Sequence, residues 1–95
     1  DHIPMISLAQ NTPNPFNTST TISFKLREEA PVDLQIFNLK GQMVRNIQLY
    51  SKAEGEYFVH WDGSDGNGLR CSAGVYLYKL HAGKYSSTKK MILLK

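Results

Sequence analysis

Thr20-Thr21-Ile22-Ser23-Phe24-Lys25-Leu26 decides the fold class. Ile22, Phe24 and Leu26 fall on one side of a period-two pattern, and Thr21, Ser23 and Lys25 fall on the other. Successive side chains of an extended chain point to opposite faces, so this stretch predicts a strand with one face in a core and one in water. A helix would need apolar residues three and four apart, and no part of the chain carries that period.

The same pattern continues in both directions. Downstream, Val32, Leu34 and Ile36 alternate with Asp33 and Gln35 after a turn at Arg27–Pro31. Asn38-Leu39-Lys40-Gly41 reads as a hairpin turn, with Gly41 free to take a positive φ. A third strand runs from Gln42 to Tyr50, and a slip of phase between Val44 and Ile47 predicts a bulge or bend. Tyr57, Val59 and Trp61 form a fourth, with Trp61 expected in the core. A loop with three glycines, Asp62–Gly68, follows, and then a short strand is expected over Leu69–Ser72. Val75–Leu80 is apolar on both faces except at Lys79, which predicts a central strand. Tyr85–Leu94 closes the series. Upstream, Pro13 and Pro15 exclude helix, and Phe16 is the expected anchor of that segment. Residues 1–9 read as a linker remnant or a first edge strand through Ile6 and Leu8, and residues 10–95 as the domain. About seven short strands with glycine and proline between them predict an all-β antiparallel sandwich. Tyr76 or Tyr78 is the expected corner tyrosine.

A length of 95 residues sets one domain with one modest core. Hydrophobic residues make up 41%, an ordinary folded composition. No apolar run approaches the roughly 20 residues of a membrane-spanning helix, and Asp1-His2-Ile3-Pro4 does not read as a signal peptide. A single Cys71 excludes an intramolecular disulfide and any multi-cysteine metal site. The net charge of +3 is unevenly placed: residues 84–95 hold Lys84, Lys89, Lys90 and Lys95 and no acid. Lysines of this kind suit an edge strand, where they discourage sheet-to-sheet pairing. The absence of an arginine stripe with interleaved aromatics argues against nucleic acid as a partner.

Groups that could carry chemistry are few. His2, His60 and His81 have no metal-ligand spacing, and Cys71 has no local signature of a nucleophile with its base. Asp62, Ser64, Asp65 and Asn67 place oxygens at close intervals, so a weak calcium site over Asp62, Asp65 and Asn67 stands beside a purely conformational turn. No other cofactor is implied. Tyr50, Phe58, Tyr78 and Tyr85 are the aromatics that a carbohydrate-binding face would use.

Five motifs then occur in order. They are Asn14-Pro15-Phe16-Asn17 with the Thr20–Phe24 strand, Ile36–Val44, His60-Trp61-Asp62-Gly63, Gly74–Leu80, and Lys89–Lys95 at the end of the sequence. This series resembles the C-terminal sorting domain of type IX secretion cargo from Bacteroidetes and related bacteria. It is also similar to the immunoglobulin-like domain of the flagellar hook-capping protein. The resemblance covers residues 8–95 and implies a non-catalytic immunoglobulin-like sandwich at the end of a larger secreted protein, often a hydrolase. It implies as partners the cargo domain on its N-terminal side, the outer-membrane translocon and a sortase. It implies passage through the periplasm to the cell surface, with no nucleic acid and no membrane span, and a monomer. In that family the sorting information lies in the last strands. Here that implies Gly74, Val75 and Tyr76, together with Lys89, Lys90, Met91, Ile92, Leu93, Leu94 and Lys95. An edge strand can be read by strand addition, and its lysines would favour an acidic receptor. Hook capping and carbohydrate binding are the alternatives.

Overall fold

A computed structural model describes residues 5–94 of the chain. It holds seven strands among the described residues: β1 Ile6–Leu8, β2 Thr20–Leu26, β3 Ala30–Asn38, β4 Met43–Lys52, β5 Gly55–Trp61, β6 Gly74–Ala82 and β7 Tyr85–Leu93. They form two antiparallel sheets, ordered β1-β2-β5 and β4-β3-β6-β7. The all-β immunoglobulin-like sandwich is therefore the observed architecture.

The alternation read in the sequence is the alternation of burial. Ile22, Phe24 and Leu26 of β2 face Leu34 and Ile36 of β3 across the core, with Trp61, Tyr78, Leu80, Met91 and Leu93 around them. Each fully buried side chain of this size contributes roughly 1.5–3 kcal/mol by leaving water. Phe16 is 1% exposed and packs against Trp61 with ring centroids 5.8 Å apart and the planes tilted by 60°, as its anchoring role requires. The Trp61 indole donates to the Ser64 carbonyl at 2.8 Å, so its polar end is satisfied at the rim.

Both candidate corner tyrosines tie their hydroxyls to the backbone. Tyr76 donates to the Ser72 carbonyl at 2.6 Å. Tyr78 donates to the Ala9 carbonyl at 2.8 Å and accepts from the Asn11 N–H at 2.9 Å. The second pair matters for the whole sandwich. The chain leaves the smaller sheet after β1 and crosses the open seam beside β7. Its residues 9–11 are held there by a hydroxyl that projects from the middle of the other sheet.

Two expectations need correction. Leu69–Ser72 is not a strand. Asp65 Oδ1 accepts the N–H groups of Asn67 and Leu69, and Arg70 pairs only with Ser64 in an isolated bridge, so the loop consumes its own backbone groups. The count of seven is reached through β1 instead. The irregularity of β4 is also double: the register against β3 shifts between Val32 and Asp33 and again between Ile36 and Phe37, leaving Leu49 and Val44 as the extra residues. The central position expected of Val75–Leu80 is observed, with β6 between β3 and β7, while Val75 and Leu77 point outward and are half-buried with no layer among the described residues over them.

Candidate recognition surface

The two stretches that the resemblance singled out are neighbours in the sheet. Gly74 pairs with Leu93, Val75 with Ile92, Tyr76 with Met91, Leu77 with Lys90 and Tyr78 with Lys89. Paired residues share a face, so the ladder sorts them. Tyr76, Met91 and Leu93 point inward and are core, at 6%, 0% and 1% exposure. No partner can touch their side chains in the folded domain. Val75, Lys90 and Ile92 point outward, Leu94 is half exposed, and Lys89 lies half-buried at the rim of the inner side. Lys84 sits in the β6–β7 turn, six residues and about 20 Å of strand from Lys90. The lysine run is thus divided between a turn, a rim and an outer face. Lys95 and His2 lie outside the described residues.

The free edge of β7 is closed over its last third. Lys90 O accepts from Gln10 Nε2 at 2.7 Å, and the Ile92 N–H donates to Asn14 Oδ1 at 2.9 Å. The Phe16 N–H donates to Ile92 O at 3.0 Å, and the Leu94 N–H to Phe16 O at 2.8 Å. An added strand could bond this edge only near Ser86 and Thr88, away from the terminal motif.

Beside this ladder lies a groove of about 350 Å³ between the β3–β4 turn and residues 72–76. Its walls are hydrogen-bonded. Asn38 Oδ1 accepts the N–H groups of Lys40 and Gln42, at 2.9 and 3.0 Å, and Gly41 supplies a φ of +85°. The opposite wall is held by the bond from Tyr76 to Ser72. Gly74 lines the groove with a φ of +150°, and a Cβ there would meet nothing within 4 Å.

The remaining candidates do not converge on chemistry. Asp62 Oδ1 accepts from the N–H and hydroxyl of Ser64, and Asp65 Oδ1 from Asn67 and Leu69. The hydroxyl and N–H of Ser64, aided by Arg45, hold the Asp62 carboxyl below its usual range. Both carboxylates are turn formers, and Asn67 is exposed beside them. Among the described residues no three His, Cys, Asp or Glu side chains are placed to hold a metal ion. Burial, and then Asp65, push the Cys71 thiol above its ordinary range, the opposite of what an attacking thiolate needs. His60 is bonded to Thr21 on the outer face of one sheet, and His81 to Gln35 on the outer face of the other. Tyr78 is fully buried, and Phe58 lies on the outer face of the smaller sheet while Tyr50 and Tyr85 lie on the larger, so the aromatics form no single sugar platform.

A family model described as the FlgD Ig-like domain matches residues 10–86. The chain belongs to that family. Solved structures agree on the fold at low identity. Dimeric latent PorU from Porphyromonas gingivalis superposes with a TM-score of 0.77 at 20% identity, over 99% of this chain and 10% of PorU. FlgD from Xanthomonas campestris, a hook-capping protein essential for flagellar assembly, gives 0.65 at 21%, over 93% of this chain and 64% of FlgD. PorZ, a surface component of the type IX secretion system of P. gingivalis, gives 0.59 at 21%, over 95% of this chain and 11% of PorZ. The chain therefore spans about a tenth of PorU and PorZ. A search of curated proteins found no match. The chain is thus an immunoglobulin-like FlgD-type domain, and its described residues include no helix long and apolar enough to cross a membrane.

Sequence reasoning missed Leu39, which lines the groove, and the Phe37–Met43 pair on the outward face of β3 and β4. Their signal was present: Phe37 directly follows buried Ile36 and so breaks the alternation that governs the rest of β3.

Proposed function

We propose that this domain is a non-catalytic sorting module of a larger secreted protein, read by type IX outer-membrane machinery for export to the cell surface. Its role is to be bound rather than to catalyse. The observation that carries the reading is the pairing of Gly74 with Leu93 and of Val75 with Ile92, which joins the two stretches that the resemblance singled out into one strip with Lys90 beside it. The likeness of the fold to PorU and PorZ, the latter a type IX component, supports it.

The test is export of a periplasmic reporter fused ahead of residues 1–95 in a type IX-competent host. Deleting the last strand residues would be uninformative, because Met91 and Leu93 are core. Lys90→Glu with Ile92→Ser changes only outward side chains. The expected result is export of the parent fusion and its loss in the double variant, with unchanged melting. Undiminished export of the double variant would remove these residues from the signal.

A structural role in assembly is the second reading, favoured by the family match and by the hook-capping relative. It predicts that the fusion stays in the periplasm and that the domain is never cleaved from its parent.

A further inference from the structure

The outer face of the larger sheet carries an apolar surface that no element among the described residues covers. Phe37 pairs with Met43 on one side and with Leu77 on the other, and Leu77 pairs with Lys90. These four residues form one row across four strands, about 15 Å wide. Val75 and Ile92 form the next row, and Leu39 projects from the adjoining turn. Leu39 is 67% exposed, Met43 51% and Ile92 36%, while Phe37, Val75 and Leu77 are half-buried. The opposite sheet shows the contrast: its outer face is Ser7, Thr21, Ser23, Lys25, Glu56 and His60, with Phe58 alone among them. Contiguous apolar surface of this kind on a small domain marks a site of interaction.

Charge and shape choose the occupant. Lys40 borders the patch at the turn, Lys90 closes its main row, and Lys79 stands in the row behind. Among the described residues that point outward from these strands the one carboxylate, Asp33, is two rows beyond the main row, beside His81, and Asp65 stands past Met43 on the side away from Lys90, with its Oδ1 taken by the N–H groups of Asn67 and Leu69. Two copies of the chain would bring these lysines together, so self-association is disfavoured. A flat membrane would bridge the 350 Å³ groove without filling it. A protein side chain can insert into it, and buried anchors in preformed pockets dominate protein interfaces. Both groove walls are fixed by hydrogen bonds, and the exposed methionine beside them can adapt its shape.

We infer that this face docks an acidic segment of a partner protein, with one apolar anchor in the groove beside Leu39 and carboxylates on Lys40, Lys79 and Lys90. This rests on the sorting reading only for the identity of the partner. The surface and its chemistry stand on the geometry.

Two experiments test it. In the first, the isotope-labelled 95-residue chain is titrated with the peptide Glu-Asp-Leu-Phe-Asp-Glu and with its charge-reversed form Lys-Lys-Leu-Phe-Lys-Lys. The acidic peptide is expected to bind at roughly 1 mM or tighter, with shifts confined to Phe37–Met43, Val75–Leu77 and Lys90–Ile92. Leu39→Ser or Lys90→Glu is expected to weaken it at least about tenfold, and added salt to weaken it further. Equal binding of the two peptides, shifts elsewhere, preferential pelleting with phosphatidylglycerol vesicles, or dimerisation through this face would each overturn the inference. In the second, Leu39→Ser with Met43→Ser is placed in the reporter fusion. Both positions are exposed, so melting is expected to be unchanged while export falls. Full export of this variant beside an exported parent overturns the inference as the receptor surface and leaves the sorting reading standing. Failure of the parent itself refutes the sorting reading, and the titration then decides the surface alone.

Discussion

Replacing Tyr78 with Phe removes one oxygen and tests how the sandwich is closed. The ring is fully buried and Asn11 is 2% exposed, so water does not reach the site freely. The hydroxyl accepts from the Asn11 N–H and donates to the Ala9 carbonyl. Two neutral hydrogen bonds contribute about 0.5–1.5 kcal/mol each, and the stranded buried N–H adds a desolvation cost of about 1–3 kcal/mol. These overlap, so the expected loss is about 2–3 kcal/mol. For a domain of this size that lowers Tm by roughly 8–24 °C. Urea unfolding with an unchanged m-value and calorimetry would measure it. The loss should be local before it is global: the N–H of Asn11 is expected to exchange faster relative to those of β3. Tyr57→Phe is the control, because its hydroxyl bonds the Ala53 carbonyl at an exposed position, and it is expected to cost about 0.5 kcal/mol. A Tyr78→Phe loss below about 0.5 kcal/mol, or equal to that of Tyr57→Phe, would refute the idea that this hydroxyl pins the crossing segment.

Gly63→Ala is expected to cost about 1–2 kcal/mol in urea melts, because Gly63 has a φ of +77° and a new Cβ would lie 2.6 Å from the Arg70 guanidinium. Displacing Arg70 also breaks its bonds to the carbonyls of Asp62 and Thr18, so a neutral result would mean the loop is not held by this clip. Met91→Ala, at a site with no exposure, is expected to lose about 2–5 kcal/mol and to abolish export by unfolding, whereas Lys90→Glu melts like the parent. The Asp62 carboxyl is held below its ordinary pKa, chiefly by Ser64. Its small contribution is present above an unfolded-state pKa of about 3.9 and lost as pH falls through the lower folded value. Ser64 amide exchange should therefore quicken in acid, and a pH-independent rate after correction for intrinsic exchange would contradict the assignment. Burial pushes the Tyr78 phenol upward, so its contribution holds below pH ~10 and fades as pH rises towards the folded value. Spectroscopic titration of the phenols, with one titrating only on unfolding, would check it.

Much of this protein was legible without coordinates. The alternation of Ile22, Phe24 and Leu26, of Val32, Leu34 and Ile36, and of Tyr57, Val59 and Trp61 specified strands and their buried faces, because a period of two has one structural meaning. Glycines, prolines and Asn38 marked the turns through their own local chemistry. Where reading failed, hydrogen-bond partners outside the period-two pattern had decided, some within a loop and some far along the chain. Leu69–Ser72 has the composition of a strand, yet its backbone partners are spent inside the loop by Asp65. Gly74–Tyr76 and Lys89–Lys95 were visible as motifs, but only the β6–β7 register divides Gly74–Tyr76 and Lys89–Leu93 into core and surface. The closing of the β7 edge by Gln10, Asn14 and Phe16 joins residues some eighty positions apart, which no local pattern encodes. Sequence alone thus determined the class of fold and which side of most strands is apolar, since both follow from nearest-neighbour geometry. Tertiary structure alone decided which apolar faces stay uncovered, because that depends on whether another layer arrives to bury them.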